Sequence, residues 1–303
     1  MRGLAEYIMR GRREATLAVA IAAAMPLLFW LSAAAVALVV LRRGLSEALP
    51  VLAWGLLPAV VWAAVGDLTP LLVILGSAGL AVVLRQGNDW VRVLLLAVPL
   101  GVAFALALLM ALNEPLQALA SSFREMLPEL LGQMGIQLDE AGRATLLLRL
   151  DELLIPVLGG VLGAMHALMA LLALMIARYW QAGLYNPGGF RQEFHQLRLP
   201  PLVSIGLLAL VILAPQWSSL AILSPVASVP LLLAGLALVH AVVGARNLGR
   251  GWLIGIYAVL IWFANFSFIL IMFLAFVDSL FDFRSRLRRP SPPRDDDDPN
   301  SQG

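Results

Sequence analysis

The sequence predicts an all-α polytopic protein, a transmembrane helical bundle of about 8–10 membrane segments. Three observations carry this. The 303 residues are 61% hydrophobic and only 13% charged, with a mean hydropathy of +0.88; soluble domains average about 25% charged residues. The apolar residues are gathered into long runs separated by short charged connections. Those runs lack the alternation of barrel strands, and backbone groups in lipid must be satisfied within their own segment, so the runs read as helices.

In chain order the apolar stretches are 15–41, 49–65, 69–84, 91–111, 153–177, 201–214, 220–244 and 252–281. A bilayer core takes about 20 helical residues per crossing. The first and last stretches exceed one simple crossing. Pro26 lies near the middle of the first, and Asn265 and Ser267 near the middle of the last. Each is either one long tilted helix or a hairpin of two short ones. The arginines before Ala15 resemble the start of a signal peptide, but the apolar run continues to Leu41, which favours an uncleaved first segment. Residues 1–289 form the integral membrane domain, and 290–303 a disordered acidic tail with Asp295 to Asp298 and nothing apolar to bury.

Charge orients the bundle. Basic connections at 42–48, 85–90, 178–200 and 245–251 alternate with acidic or neutral ones at 66–68, 112–152 and 215–219. Cytoplasmic loops carry the arginines. The arginine-rich N-terminus and Arg284, Arg286, Arg288 and Arg289 fit the same rule only if both terminal stretches are broken or re-entrant pairs. That reading puts both termini in the cytoplasm.

Residues 113–152 form an amphipathic extracytoplasmic loop. Leu116, Leu119, Ala120, Phe123, Leu127, Leu130 and Leu131 recur at helical spacing between charged residues. Pro128 should bend this helix, Gly132 and Gly135 should end it, and a second piece at 139–150 should run into the next span. It reads as a helix on the outer membrane surface or as a lid over a substrate cavity.

Several polar or small residues stand out. His166, His240, Asn265 and Asp278 fall in or at the ends of predicted spans, where polar groups are costly. A neutral His can bond to a neighbouring helix, and Asp278 can pair with a nearby arginine or cap a turn. Gly159, Gly160 and Gly163 permit close helix approach, as do Ala18 and Ala22. Asn186-Pro187-Gly188-Gly189 forces a turn, after which Arg191 and Glu193 lie at the cytoplasmic membrane edge and Phe190 and Phe194 can anchor in the interface. This loop either reverses the chain or contacts a cytoplasmic partner. There is no cysteine, so thiolate sites and Cys nucleophiles are excluded. Three isolated histidines make no metal site, and no P-loop, GxSxG, HExxH or DNA-binding motif appears. The sequence therefore gives no reason to expect an enzyme, a cofactor, a bound metal or a nucleic-acid partner. The expected partners are the lipid bilayer, a membrane or cytoplasmic protein, and a small-molecule ligand.

The chain resembles the YybS-like family of bacterial multi-pass membrane proteins. The resemblance is carried by 186–194 leading into Leu197-Arg198-Leu199-Pro200, by Val239-His240 through Gly251-Trp252, and by Val277-Asp278 through Asp282-Phe283-Arg284. It extends to Arg289, implies a place in a bacterial plasma (inner) membrane, and implies no activity of its own. The family is similar at fold level to the substrate-capture subunits of energy-coupling-factor transporters and to the rod-shape protein MreD. That likeness implies that Ala18 and Ala22 dock a membrane partner. The resulting expectation is a substrate-capture or transport subunit with 113–152 as its lid. The other is a non-transporting scaffold or envelope protein that recruits partners through 186–194 and the basic tail.

Overall fold

A computed structural model describes residues 2–136 and 138–287, without the side chains of Arg250, Asn265, Arg286 and Leu287. It contains helices and turns, with no strand among the described residues. The expected acidic tail and the expected polar role of the Asn265 side chain lie outside that description. Among the described residues, five helices are long and apolar enough to cross a membrane: α4 (Leu45–Ala64), α5 (Thr69–Gly87), α6 (Trp90–Ala111), α8 (Glu140–Tyr185) and α11 (Leu223–Ala245). A sixth span arises if α10 (Pro201–Leu213), with its following 3₁₀ turn to Gln216, is joined to α9 (Gly189–Gln196) across a 69° bend.

Both over-long stretches are broken. After α1 (Arg2–Arg10), α2 (Arg12–Ala24) stops before Pro26, which has no N–H for a continuing helix, and α3 (Phe29–Arg43) returns beside it. The return is fixed at its open end: the Arg43 guanidinium donates to the Met9 carbonyl at 2.7 Å, and Arg12 pairs with Glu47 at 2.9 Å. Thirteen helical residues rise only about 20 Å, too short for a full crossing. At the other end α12 (Arg250–Trp262) turns at Phe263 into α13 (Ala264–Phe281), two residues before the Asn265 at which the sequence suggested a break. A five-residue helix, α14 (Phe283–Leu287), follows.

One packed core runs through the bundle, and α3 is its axis. Every side chain from Ser32 to Leu41 is buried, enclosed by α2, α4, α5 and α8. Lipid is as apolar as these side chains, so packing rather than water exclusion holds the helices together. Small residues make that packing possible. A Cβ on Gly163 of α8 would collide with the Gly101 carbonyl of α6, and one on Gly235 of α11 with the Ile271 carbonyl of α13. A Cβ on Gly160 would stand 2.5 Å from the Ile222 carbonyl oxygen. The small-residue pattern at 159–163 is thus spent on contacts inside the chain.

Charge separates the two ends of the bundle. At the basic end, helix C-termini expose unpaired carbonyls, and arginines cap them. Arg85 donates to the Leu41 carbonyl at 2.7 Å, and Arg198 to Asp278 and Ser279 carbonyls at 3.0 and 2.8 Å. Each places a cation at the negative pole of a helix dipole. Both ends of the described chain lie here, with Arg43 on the Met9 carbonyl and Arg284 on the His195 carbonyl.

The acidic end projects instead. Helix α7 (Asn113–Gln133) runs through Pro128 and ends before Gly135, whose φ of +70° suits glycine. It pairs with the start of the 46-residue α8 through Arg124 and Asp151. Only Leu116 and Ala120 of α7 are buried, and no described side chain of α8 is buried before Gly159. Beneath the base of this hairpin, Leu72, Phe104 and Leu108 pack with Leu68, Leu100, Leu112 and Leu162 into a small apolar cluster.

Candidate functional site

The polar site of this bundle lies at the basic end and is organised by α9. Asn186 and Pro187 end α8, and Gly188 takes φ of +88°, a left-handed value that a side chain would disfavour. Gly189 cannot carry a Cβ without striking the Asn186 side chain. The chain then starts an eight-residue helix with two distinct faces. Phe190, Glu193 and Phe194 point into the bundle; Arg191, Gln192, His195 and Gln196 line a cavity.

The inward face anchors the helix. Glu193 accepts from Arg178 Nε at 3.0 Å and from the Trp90 indole at 3.1 Å, and Arg178 also donates to Asn88 at 2.7 Å. These contacts tie the α5–α6 connection, α8 and α9 into one unit. Phe190 meets Trp90 and Tyr179 edge-on, stacks on Phe194 at 5.9 Å, and Phe194 meets the His240 ring at 5.3 Å. Phe190 and Phe194 are both half-buried against the core, because helical spacing puts them on the same face as Glu193.

The cavity has a volume of about 1060 Å³. Arg191, His195, Gln192 and Gln196 come from α9, and Arg198 and Pro200 from the linker that follows. Ala241 and Gly244 of α11 form one wall, and Asp282, Arg284 and Ser285 another. Gly244 makes the room, since a Cβ there would sit 2.5 Å from the His195 ring. Among the described residues, three arginines and one carboxylate line the cavity.

Two of the arginines are held. The Arg284 guanidinium, itself partly buried, pairs with the buried Asp278 at 3.0 Å and donates to the His195 carbonyl at 2.7 Å. Arg198 pairs with Asp282 at 3.1 Å. Asp278 also accepts the Phe283 N–H at 3.2 Å, so it both pairs with an arginine and caps the turn that reverses the chain. Among the described residues Arg191 has no ion-pair partner. Burial lowers the His195 pKa below its usual 6.5, and the neighbouring Arg191, His240 and Arg284 lower it further. A cationic cavity disfavours a second positive charge, and this imidazole reports that field.

The remaining sequence-predicted residues fall elsewhere. His166 is buried between α8 and α5: its Nδ1–H donates to the Leu162 carbonyl at 2.7 Å, leaving Nε2 to accept from the Thr69 hydroxyl at 3.2 Å. That is helix-to-helix bonding. His240 meets the Tyr257 hydroxyl at 2.9 Å on the far side of α9, close to the cavity. Ala18 and Ala22 line an apolar recess of about 270 Å³ between α1, α2 and α3, remote from 186–191. Ala22 is buried and Ala18 half-buried, so the chain's own helices already cover much of that stripe. Among the described residues no group of three or more His, Asp and Glu side chains could hold a metal ion.

Sequence reasoning found Arg191 and missed the part His195, Arg198, Gly244 and Arg284 play around it. One signal was readable: 191, 192, 195 and 196 are polar and share a helical face, whereas 190, 194 and 197 are apolar. Treated as a loop, this stretch concealed that pattern. No family model, no curated protein and no solved structure matches this chain. The function therefore rests on the residues themselves.

Proposed function

We propose that this chain is a non-enzymatic, multi-pass inner-membrane protein that captures an anionic ligand at the cytoplasmic end of its bundle. The observation that carries the reading is the 1060 Å³ cavity in which, among the described residues, Arg191, Arg198 and Arg284 line the wall with one carboxylate, Asp282, and Arg191 has no ion-pair partner. Arg198 and Arg284 are fixed by their own carboxylates, which positions them without cancelling Arg191. A planar guanidinium offers paired donors to phosphate or carboxylate. The small-molecule capture expected from the sequence is kept, but its place moves. Under 113–152 the helices close on Leu72, Phe104 and Leu108, whereas the polar groups converge at the opposite end. One observation favours a scaffold role beside this: the projecting α7 leaves Leu119, Phe123 and Met126 exposed along an amphipathic helix.

The test uses sulfate, whose charge is constant near neutral pH, titrated into the purified full chain in neutral detergent. R191Q is expected to weaken binding about tenfold, the worth of one charge-assisted hydrogen bond. An anion in the cavity favours the imidazolium of His195, so binding takes up a proton. Affinity should then rise as pH falls from about 7.5 to about 5.5, and H195Q should flatten that dependence. Equal affinity in the wild type and R191Q overturns the proposal.

A further inference from the structure

The cationic cavity does not end at the polar groups. Arg191, His195 and Gly244 also line a neighbouring recess of about 430 Å³ that reaches His240 and Gly249. Gly249 in turn lines a groove of about 820 Å³ between α11, α12 and α13. The wall of this groove is apolar, with Val239, Trp252, Ile256, Leu270 and Ile271 among its side chains. The polarity therefore changes from one adjoining space to the next, from guanidinium groups at the bundle end to hydrocarbon alongside the spans.

Helix α12 creates the space. Its sequence is apolar, yet no described side chain in it is buried. It stands away from α11, held on that side by the Tyr257 hydroxyl against His240. A Cβ on Gly251 or Gly255 would meet nothing within 4 Å. Gly163 and Gly235 mark close helix contacts, whereas Gly251 and Gly255 border open room.

We propose that cavity, recess and groove form one site for a phosphate-headed anionic lipid, the phosphate against Arg191 and the acyl chains between α11, α12 and α13. The inference rests on the anion-capture reading above and names its ligand class. Charge complementarity selects the head, since Arg198 and Arg284 have carboxylate partners and Arg191 has none among the described residues. A chain of methylenes fits the groove, which offers almost no polar partner besides Ser267. A free anion would leave the groove unexplained, and an uncharged lipid would leave Arg191 unexplained. The short connection between α11 and α12 keeps head and tail sites within the reach of one lipid molecule.

The experiment measures phosphatidylglycerol retention by the full-length protein in neutral detergent, by native mass spectrometry over a lipid titration. Phosphatidylcholine serves as the zwitterionic comparison, and sulfate binding is followed on the same samples. Gly255→Leu fills the groove where the structure has open space, and Arg191→Gln removes the head contact. The expected result is preference for phosphatidylglycerol, weakened about tenfold by each variant. G255L should leave sulfate affinity unchanged. If G255L retains phosphatidylglycerol as the wild type does while R191Q loses sulfate, the lipid proposal is overturned and anion capture stands. If R191Q changes neither ligand, both fall. Equal retention of the two lipids also overturns the lipid proposal.

Discussion

Replacing Asp278 by Ala should destabilise the bundle more than any surface change at the same end. Asp278 is 1% exposed. Its carboxylate accepts from Arg284 Nε at 3.0 Å and from the Phe283 N–H at 3.2 Å. Removing it strands a partly buried guanidinium, and breaking one partner of a buried pair costs about 3–5 kcal/mol. Arg284 keeps its bonds to the His195 carbonyl at 2.7 Å and the Ala234 carbonyl at 3.4 Å. Those carbonyls offset part of the loss, so the lower bound of about 3 kcal/mol is the expected value. For a chain of this size that corresponds to a fall in Tm of about 6–12 °C. Thermal unfolding in detergent, followed by tryptophan fluorescence, reads it. The double variant D278A/R284M removes both charges and should recover most of the loss, because a buried pair replaced by apolar groups is often neutral. A loss below about 1 kcal/mol in D278A, or a double variant no more stable than D278A, would refute the argument that this pair organises the C-terminal turn.

Two other expectations follow from packing and charge. Gly163→Val pushes a Cβ at the Gly101 carbonyl and should cost at least about 1–3 kcal/mol. Gly79→Ala, where a Cβ meets nothing within 4 Å, should change stability by less than about 1 kcal/mol; similar Tm values for the two variants would contradict the close α6–α8 approach. The absence of cysteine gives a clean topology test with a membrane-impermeant maleimide. Ser121→Cys should label on intact cells, and Gly3→Cys and Ser285→Cys only after lysis; labelling of either of the latter two on intact cells sinks the cytoplasmic placement of that end.

Composition and periodicity by themselves determined that this chain is helical and apolar enough for a membrane. They also located the charged connections and gave good bounds for spans such as 91–111. These features are local, set by the length of an apolar run and by the residues that interrupt it. Pro26 announced its break because a missing N–H acts within one helical turn. The break at Phe263 was less legible, as no residue there forbids a helix. The pairing of Asp278 with an arginine was foreseen, since only six residues separate it from Arg284. The candidate site was not foreseen as a whole. Arg191, Arg198, Gly244 and Arg284 are dispersed along the chain, and only folding brings α9, the end of α11 and the turn after α13 to one cavity. The inward turn of Phe190 and Phe194 was also a tertiary decision. Glu193 on the same face finds Arg178 and the Trp90 indole, and these partners hold that face of α9 against the bundle. Sequence fixed the solvent for which this protein is built; packing chose which of its arginines would share a cavity, because that depends on distances no local pattern encodes.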